Sequence, residues 1–159
     1  MGLDIVAFNK IEPVKELKKD GENESSINLD YVRQTFPHVV PDLIKNKYYL
    51  IDEAKSFRAG SYSFYSLWRQ ELSLFAIQQK IKVDKFELLP FEEMINFSDC
   101  EGLIGPAISE KLYKDFLIFE KLAEKHKPKK MNQEDWLANY QDFKEAFGAA
   151  RRKGAVLFC

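Results

Sequence analysis

Residues 62–79 read YSFYSLWRQELSLFAIQQ, and apolar side chains recur in this stretch at spacings of three and four. That spacing is the repeat of an amphipathic helix. Two apolar stripes run along the predicted helix and leave only a narrow polar strip. The stripes hold Tyr65, Trp68, Leu72 and Phe75, and Phe64, Leu67, Leu74 and Ile77; the strip holds Ser66, Arg69, Gln70 and Ser73. A helix that is apolar on most of its girth packs on two sides, so we predict that it is the central helix of the fold.

Two further helices are predicted, at about 106–125 and 132–152. Pro106 suits the first position of one helix, while Asn132 caps the other and Gly154 ends it. Because a short loop joins these helices and their apolar stripes match, we expect them to pack as an antiparallel pair. The predicted contacts are Phe116, Phe119, Trp136, Tyr140 and Phe143.

Short runs of β-forming residues predict a small sheet. The candidate strands are Leu3–Phe8, Tyr48–Ile51, Phe57–Arg58 and Ala155–Phe158. In the first strand, alternation places Leu3, Ile5 and Ala7 on one face. Strands near both ends of the chain with three main helices between them indicate an α+β fold, with the sheet covered by the helices. We expect one globular domain over residues 1–159.

The segment between the first two strands is expected to be irregular. We predict a short helical turn from Pro13 and then a mobile surface loop within residues 10–26, where Asp20-Gly21 and a polar run interrupt any apolar pattern. Asn28 is expected to cap a short helix that follows.

The composition excludes several classes of function. With 159 residues, 45% of them hydrophobic and 31% charged, the chain suits a globular protein. Its net charge of −1 provides no field to attract nucleic acid or an anionic membrane, so neither partner is expected. The two cysteines form no CxxC motif and the two histidines no HxxxH pair, so we predict no metal and no cofactor. We find no signal peptide, membrane span or common nucleotide or hydrolase motif, and we expect a cytoplasmic location.

The segment SFRAGSYS, residues 56–63, is the first candidate site. It leads directly into the predicted central helix, and Ser61 or Ser63 is a ready N-cap. Free N–H groups at the start of a helix, with Arg58 nearby, favour an anion-binding site. The alternative is a capped turn in which Arg58 forms a structural salt bridge.

The segment NFSDCEG, residues 96–102, is the second candidate site. Asp99 and Glu101 form a carboxylate pair that can divide the acid and base roles of a hydrolase. The alternative is a polar turn whose carboxylates accept from arginine, and we expect Arg58 or Arg69 within salt-bridge reach of Asp99 or Glu101. Cys100 has acidic neighbours and no histidine nearby in sequence, so we predict a small buried residue rather than a nucleophile.

Three weaker candidates remain. Asp4 shares a strand face with apolar residues and is a candidate functional carboxylate, although such a group more often sits paired near a strand end. The lysine-rich stretch Lys125–Lys130 could contact phosphate, but it has no interleaved aromatic residues, which favours a solvated loop. Cys159 is expected to be an incidental exposed thiol.

Several short blocks of this sequence together resemble a family of uncharacterised bacterial and bacteriophage proteins. The blocks are Gly2-Leu3-Asp4, residues 57–62 (FRAGSY), Trp68-Arg69, residues 96–102 (NFSDCEG) and Ile104-Gly105-Pro106. The chain departs from the family pattern at Phe64, where glycine is common, and at Cys159, where histidine is frequent. No activity comes with the family, but the resemblance implies a bacterial or prophage setting.

These observations favour a small cytoplasmic binding or accessory protein without catalysis. Its expected partner is a small anionic ligand or another protein, and the candidate binding residues are Arg58, Ser61, Ser63, Arg69, Asp99, Glu101 and Asp4. The alternative is a hydrolase-like enzyme that uses Asp99 and Glu101, with Arg58 as the anion anchor.

Overall fold

A computed structural model of the chain describes residues 2–13, 26–43, 47–83 and 89–159. This part of the chain contains five strands and five helices. The strands are β1 (Gly2–Pro13), β2 (Ser26–Asn28), β3 (Lys47–Ser61), β4 (Gly102–Ile104) and β5 (Ala155–Phe158). The helices are α1 (Leu29–Thr35), α2 (Tyr62–Val83), α3 (Glu92–Ile95), α4 (Pro106–Ala123) and α5 (Gln133–Ala150). None of the described helices is long and apolar enough to cross a membrane.

The strands form one antiparallel sheet in the order β2-β3-β1-β5-β4. Its centre is the long pairing of β1 with β3, which runs from Gly2 opposite Ser61 to Pro13 opposite Tyr48. The short strand β5 pairs with the other edge of β1 and carries β4 on its far side. This mixture of helices with one antiparallel sheet confirms the predicted α+β class.

Each face of the sheet is covered by a different set of helices. Leu3, Ile5 and Ala7 point into the main core, which is shared with α2, α4 and α5. The alternate residues Val6 and Phe8 point to a smaller core, which is shared with α1. The alternation predicted for this strand is therefore confirmed, and it fixes which side chains of β1 lie beneath α1.

The predicted antiparallel packing of the last two helices is confirmed. The rings of Phe116 and Tyr140 lie 4.8 Å apart, and the Tyr140 hydroxyl donates to the Phe116 carbonyl at 2.8 Å. About one turn earlier in α5, the Trp136 indole donates to the Ala123 carbonyl at 3.0 Å. Phe143 is buried as predicted, but its ring contacts lie with Trp68 of α2 and with the sheet rather than with α4.

The strand predictions were too short. Tyr48–Ile51 and Phe57–Arg58 belong to one continuous strand, β3, because its pairing with β1 carries it through the polar residues between them. The same pairing extends β1 beyond Phe8 to Pro13, so Pro13 ends a strand and does not begin the predicted helical turn. The predicted loop beyond Pro13 lies outside the described residues until Ser26. Asn28 caps α1 as expected, since its side-chain oxygen accepts from the Asp30 N–H at 3.0 Å.

Candidate ligand site at one end of the sheet

Polar side chains from four chain segments line up across one end of the sheet. Arg58 of β3 lies directly opposite Asp4 of β1. Asp4 in turn faces Cys159 through two backbone hydrogen bonds of 2.8 and 3.0 Å. Continuing the pair of Gly102 and Phe158 by one residue places Glu101 opposite Cys159. We call Arg58, Asp4, Cys159 and Glu101 the polar row.

The polar row lies on the face of the sheet that α1 covers. Val6, Leu157 and Leu103 are paired across β1, β5 and β4, and all three belong to or pack against the smaller core. Asp4, Cys159 and Glu101 each lie two positions from one of these residues, towards the same end of the sheet. Side chains two positions apart on a strand share a face. The Tyr31 hydroxyl of α1 confirms this placement, because it donates to the Glu101 carboxylate at 3.1 Å. The Glu101 end of the polar row therefore lies beneath the Tyr31 phenol.

A cavity of about 350 Å³ adjoins the Glu101 end of the row. Apolar residues from β2, α1 and β5 form much of its lining, while hydrogen-bonding groups stand at its edge. The apolar residues are Ile27, Val32, Leu157 and Phe158, and the polar ones are Asn28, Tyr31, Glu101 and Cys159. Ligand pockets generally combine an apolar lining with a few placed polar groups in this way.

Backbone geometry holds Glu101 at the cavity. The Ser98 hydroxyl accepts from the N–H groups of Cys100 and Glu101 at 3.3 and 3.2 Å, which closes the turn before β4. Gly102 follows at φ 140°, a conformation that favours glycine, and a Cβ there would lie 2.5 Å from the Phe97 ring. The turn leaves Cys100 exposed, so the prediction that it is buried was wrong.

Two groups of the site have raised pKa values. The hydrogen bond to Glu101, and then the charge of that carboxylate, raise the pKa of the Tyr31 phenol. Partial burial, and then the charge of Asp4, raise the pKa of the Cys159 thiol. Both groups are therefore protonated at neutral pH. The raised pKa of Cys159 favours the protonated thiol, which donates to the Asp4 carbonyl at 3.6 Å.

Arg58 pairs with Asp4 rather than with the second block. Its Nη1 lies 3.8 Å from the Asp4 carboxylate, and both side chains are more than half exposed. The guanidinium also packs on the backbone of Gly2, where a Cβ would lie 2.4 Å from Nη2. Ser61 caps α2 as predicted, because its hydroxyl accepts from the Phe64 N–H at 3.1 Å. Ser63, one residue into α2, is exposed.

Asp99 and Glu101 face different partners. Asp99 lies 3.8 Å from Nη2 of Arg69, which confirms the expected approach of Arg69 to this block. Arg69 also donates to the Phe97 carbonyl and lies over the Tyr65 ring, 5.5 Å from its centroid. Glu101 instead turns to α1. The two carboxylates therefore do not form the pair that sequence spacing suggested.

The coupling of Arg69 to Asp99 can be measured. In a double-mutant cycle with Arg69→Ala and Asp99→Ala, we expect an interaction free energy of up to about 1 kcal/mol, because Asp99 is half exposed. The cycle of Arg58→Ala with Asp99→Ala is the control, and its effects should add within about 0.5 kcal/mol. Equal coupling in the two cycles, measured by urea unfolding, would contradict the described pairing.

Comparisons with protein-family models, curated proteins and solved structures found no match to this chain. Within the described residues, no group of three or more His, Cys, Asp or Glu side chains is placed to hold a metal ion. The candidate function therefore follows from the geometry of this chain, beginning with the polar row and its cavity.

Proposed function

We propose that this chain is a small binding protein whose ligand occupies the cavity beside the polar row. The observation that carries the proposal is the apolar lining that ends at the hydrogen-bonded pair of Tyr31 and Glu101. A cavity of about 350 Å³ falls at the lower end of small-molecule pockets. A compact molecule fits this volume.

The chemistry of the lining favours a ligand with an apolar body and a cationic head. The Glu101 carboxylate can only accept hydrogen bonds, and it is the charged side chain of the cavity lining. A protonated amine both donates to a carboxylate and neutralises it. Asp4 lies two strands away in the row and adds a second negative charge.

An anionic ligand is the second candidate, and Arg58 is the observation that favours it. Its contact with Asp4 is long, at 3.8 Å, and the side chain is 61% exposed, so the guanidinium retains donors for an anion. Arg69 is less suited, because the Phe97 carbonyl, Asp99 and the Tyr65 ring already surround it. The hydrolase alternative has less support, since Asp99 and Glu101 face different partners.

The proposal also includes the origin and the cellular location of the protein. The resemblance of the FRAGSY and NFSDCEG blocks supports a protein of bacterial or prophage origin, and the composition supports a cytoplasmic one. A non-catalytic binding or accessory role agrees with the protonated state of Cys159 and with the separation of the two carboxylates.

The test compares benzylamine with benzoate, which share an apolar ring and differ in charge. We expect benzylamine to raise the melting temperature, because a ligand that binds only the folded state stabilises it. Glu101→Gln should weaken benzylamine binding about tenfold, which corresponds to about 1.4 kcal/mol. Glu53→Gln is the matched control, since it removes an exposed carboxylate from β3 outside the cavity and should leave binding unchanged.

Two results would revise the proposal. Preferential binding of benzoate that is lost in Arg58→Gln would establish the anionic ligand instead. If neither compound binds at millimolar concentration, or if Glu53→Gln weakens benzylamine as much as Glu101→Gln does, the cavity is not the ligand site.

A further inference from the structure

We propose that a second site, for a small phosphate-bearing compound with hydroxyl donors, lies between the last turns of α2 and the lysine-rich loop Lys125–Lys130. This site is separate from the polar row and shares none of its lining residues. The proposal rests on a cavity, an unpartnered buried side chain and two unpaired lysines that meet at one place.

The cavity measures about 470 Å³ and lies where α2 passes the C-terminal end of α4. Its walls are polar to a greater extent than those of the first cavity. They include Gln78, Gln79, Leu122, Lys125, His126 and Lys127. Such a volume accommodates one small organic molecule.

Gln79 of α2 has a buried side-chain oxygen without a hydrogen-bond partner at this cavity. The side chain lines the cavity, only 4% of the residue is exposed, and its Oε1 has no hydrogen-bond partner among the described residues. Buried polar atoms in folded proteins are almost always hydrogen-bonded. Because Gln79 forms part of the cavity wall, a small rearrangement of its carboxamide would let Oε1 accept from the hydroxyl or N–H of a bound ligand.

Two lysines supply the charge for an anion. Lys125 and Lys127 are exposed, line the cavity and form no ion pair within the described residues. Residues 121–130 contain five lysines and a single glutamate. The nearby carboxylate of Glu120 is already engaged by Lys144 and by Gln141 at 2.9 Å. The local field therefore favours a negatively charged group.

The loop that carries these lysines is anchored to the core, not free in solvent. Glu71 of α2 is 1% exposed, and its Oε1 lies 2.7 Å from Nε2 of His126. Its other oxygen accepts from the Lys130 backbone N–H at 3.3 Å. The His126 ring packs on Phe75 and Trp136, with centroids 5.1 and 5.0 Å away. His126 and the Lys130 backbone thus anchor the loop on either side of Lys127, which keeps the lysines beside the cavity.

A small phosphate ester fits this combination better than a nucleic acid does. It provides a compact dianion for two lysines and hydroxyl groups for the Gln79 acceptor. Single-stranded nucleic acid is usually held by stacking on exposed aromatic rings. The aromatic rings next to this loop, Phe75 and Trp136, are fully buried and cannot stack on a base.

The test follows amide NMR signals during titration with glycerol 3-phosphate, inorganic phosphate and glycerol. We expect glycerol 3-phosphate to bind most tightly and to shift the signals of residues 125–127 and of the Gln79 carboxamide. The double variant Lys125→Gln/Lys127→Gln should weaken its binding about tenfold or more. Lys129→Gln/Lys130→Gln removes the same charge from the same loop outside the cavity lining, and it should have less than about a threefold effect.

Gln79→Leu separates the hydroxyl contribution from the phosphate contribution. This variant should abolish the preference for glycerol 3-phosphate over inorganic phosphate. If the two lysine double variants lost equal affinity for glycerol 3-phosphate, the overall charge of the loop would explain the binding. That result would overturn the proposal. The absence of shifts at residues 125–127 would also overturn it. So would a parallel titration in which single-stranded DNA binds more tightly and both double variants weaken it alike.

Discussion

Replacing Phe143 by alanine is expected to lower the free energy of unfolding by about 3–5 kcal/mol. The side chain is fully buried, and its ring lies 5.1 Å from that of Trp68 and 5.0 Å from that of Phe57. It also contacts Phe158 of β5, with centroids 6.1 Å apart. One residue thus joins α5 to α2 and to two strands of the sheet, so its truncation leaves a cavity that no single element can close.

Urea unfolding, monitored by circular dichroism, measures this loss of unfolding free energy. Ile118→Ala on α4 is the control, because Ile118 is 59% exposed and its truncation should cost no more than about 1 kcal/mol. A loss below about 1 kcal/mol for Phe143→Ala would show that the aromatic core repacks around the deletion.

The helices could be predicted because their signals are local. The repeat of apolar residues, Pro106 at the start of α4 and the Asn132 cap of α5 all lie within a few residues of the elements they define. Asn132 accepts from the Asp135 N–H at 2.8 Å, as a capping residue does. The strand β4, only three residues long, carries too short a pattern to be distinguished from the turn before it.

The candidate site could be predicted only in part, because its assembly depends on sheet order. The sequence alone indicates Asp4, Arg58 and Glu101 as candidates, because each is a polar residue in an unexpected place. Their alignment follows from β1 lying between β3 and β5, which no local pattern specifies. Tyr31 was missed altogether, since its role depends on α1 crossing the sheet at the level of Glu101.

Glu71 was also missed, although the sequence holds a signal for it. The residue lies three positions after Trp68 and four before Phe75, so helical geometry places it on the buried stripe. A single carboxylate at such a position requires a buried partner. His126 provides that partner from a segment that composition alone assigned to a solvated loop.

Replacing Gly154 by alanine is expected to lower the free energy of unfolding by about 3 kcal/mol or more. A Cβ at this position would lie 1.7 Å from the Phe8 carbonyl oxygen and 2.9 Å from the Ala150 Cα. Both neighbours are backbone atoms, so no side-chain rotation can relieve the overlap. Residue 154 must therefore be glycine because the gap between β1 and the end of α5 leaves no space for a side chain.

The displaced segment would be the centre of the sheet. Phe8 pairs with Ala155 of β5, and the Ile11 N–H donates to the Lys153 carbonyl at 3.0 Å. Gly154 lies between these two contacts and its N–H donates to the Ala150 carbonyl at 3.0 Å. Moving β1 away from a new methyl group would strain the pairs that hold β5 and, beyond it, the Glu101 end of the polar row.

Gly148→Ala provides the matched control because its neighbour is a side chain and not backbone. A Cβ there would lie 2.8 Å from the ring of Tyr113, which is partly exposed. Alanine also favours the helix by up to about 1 kcal/mol, so this variant should change stability by less than about 1 kcal/mol in either direction. Similar small effects for both variants, measured by urea unfolding, would contradict the close approach of Phe8 to Gly154. A large loss confined to Gly154→Ala would show that this contact fixes where β1 runs, and hence where Asp4 meets Cys159.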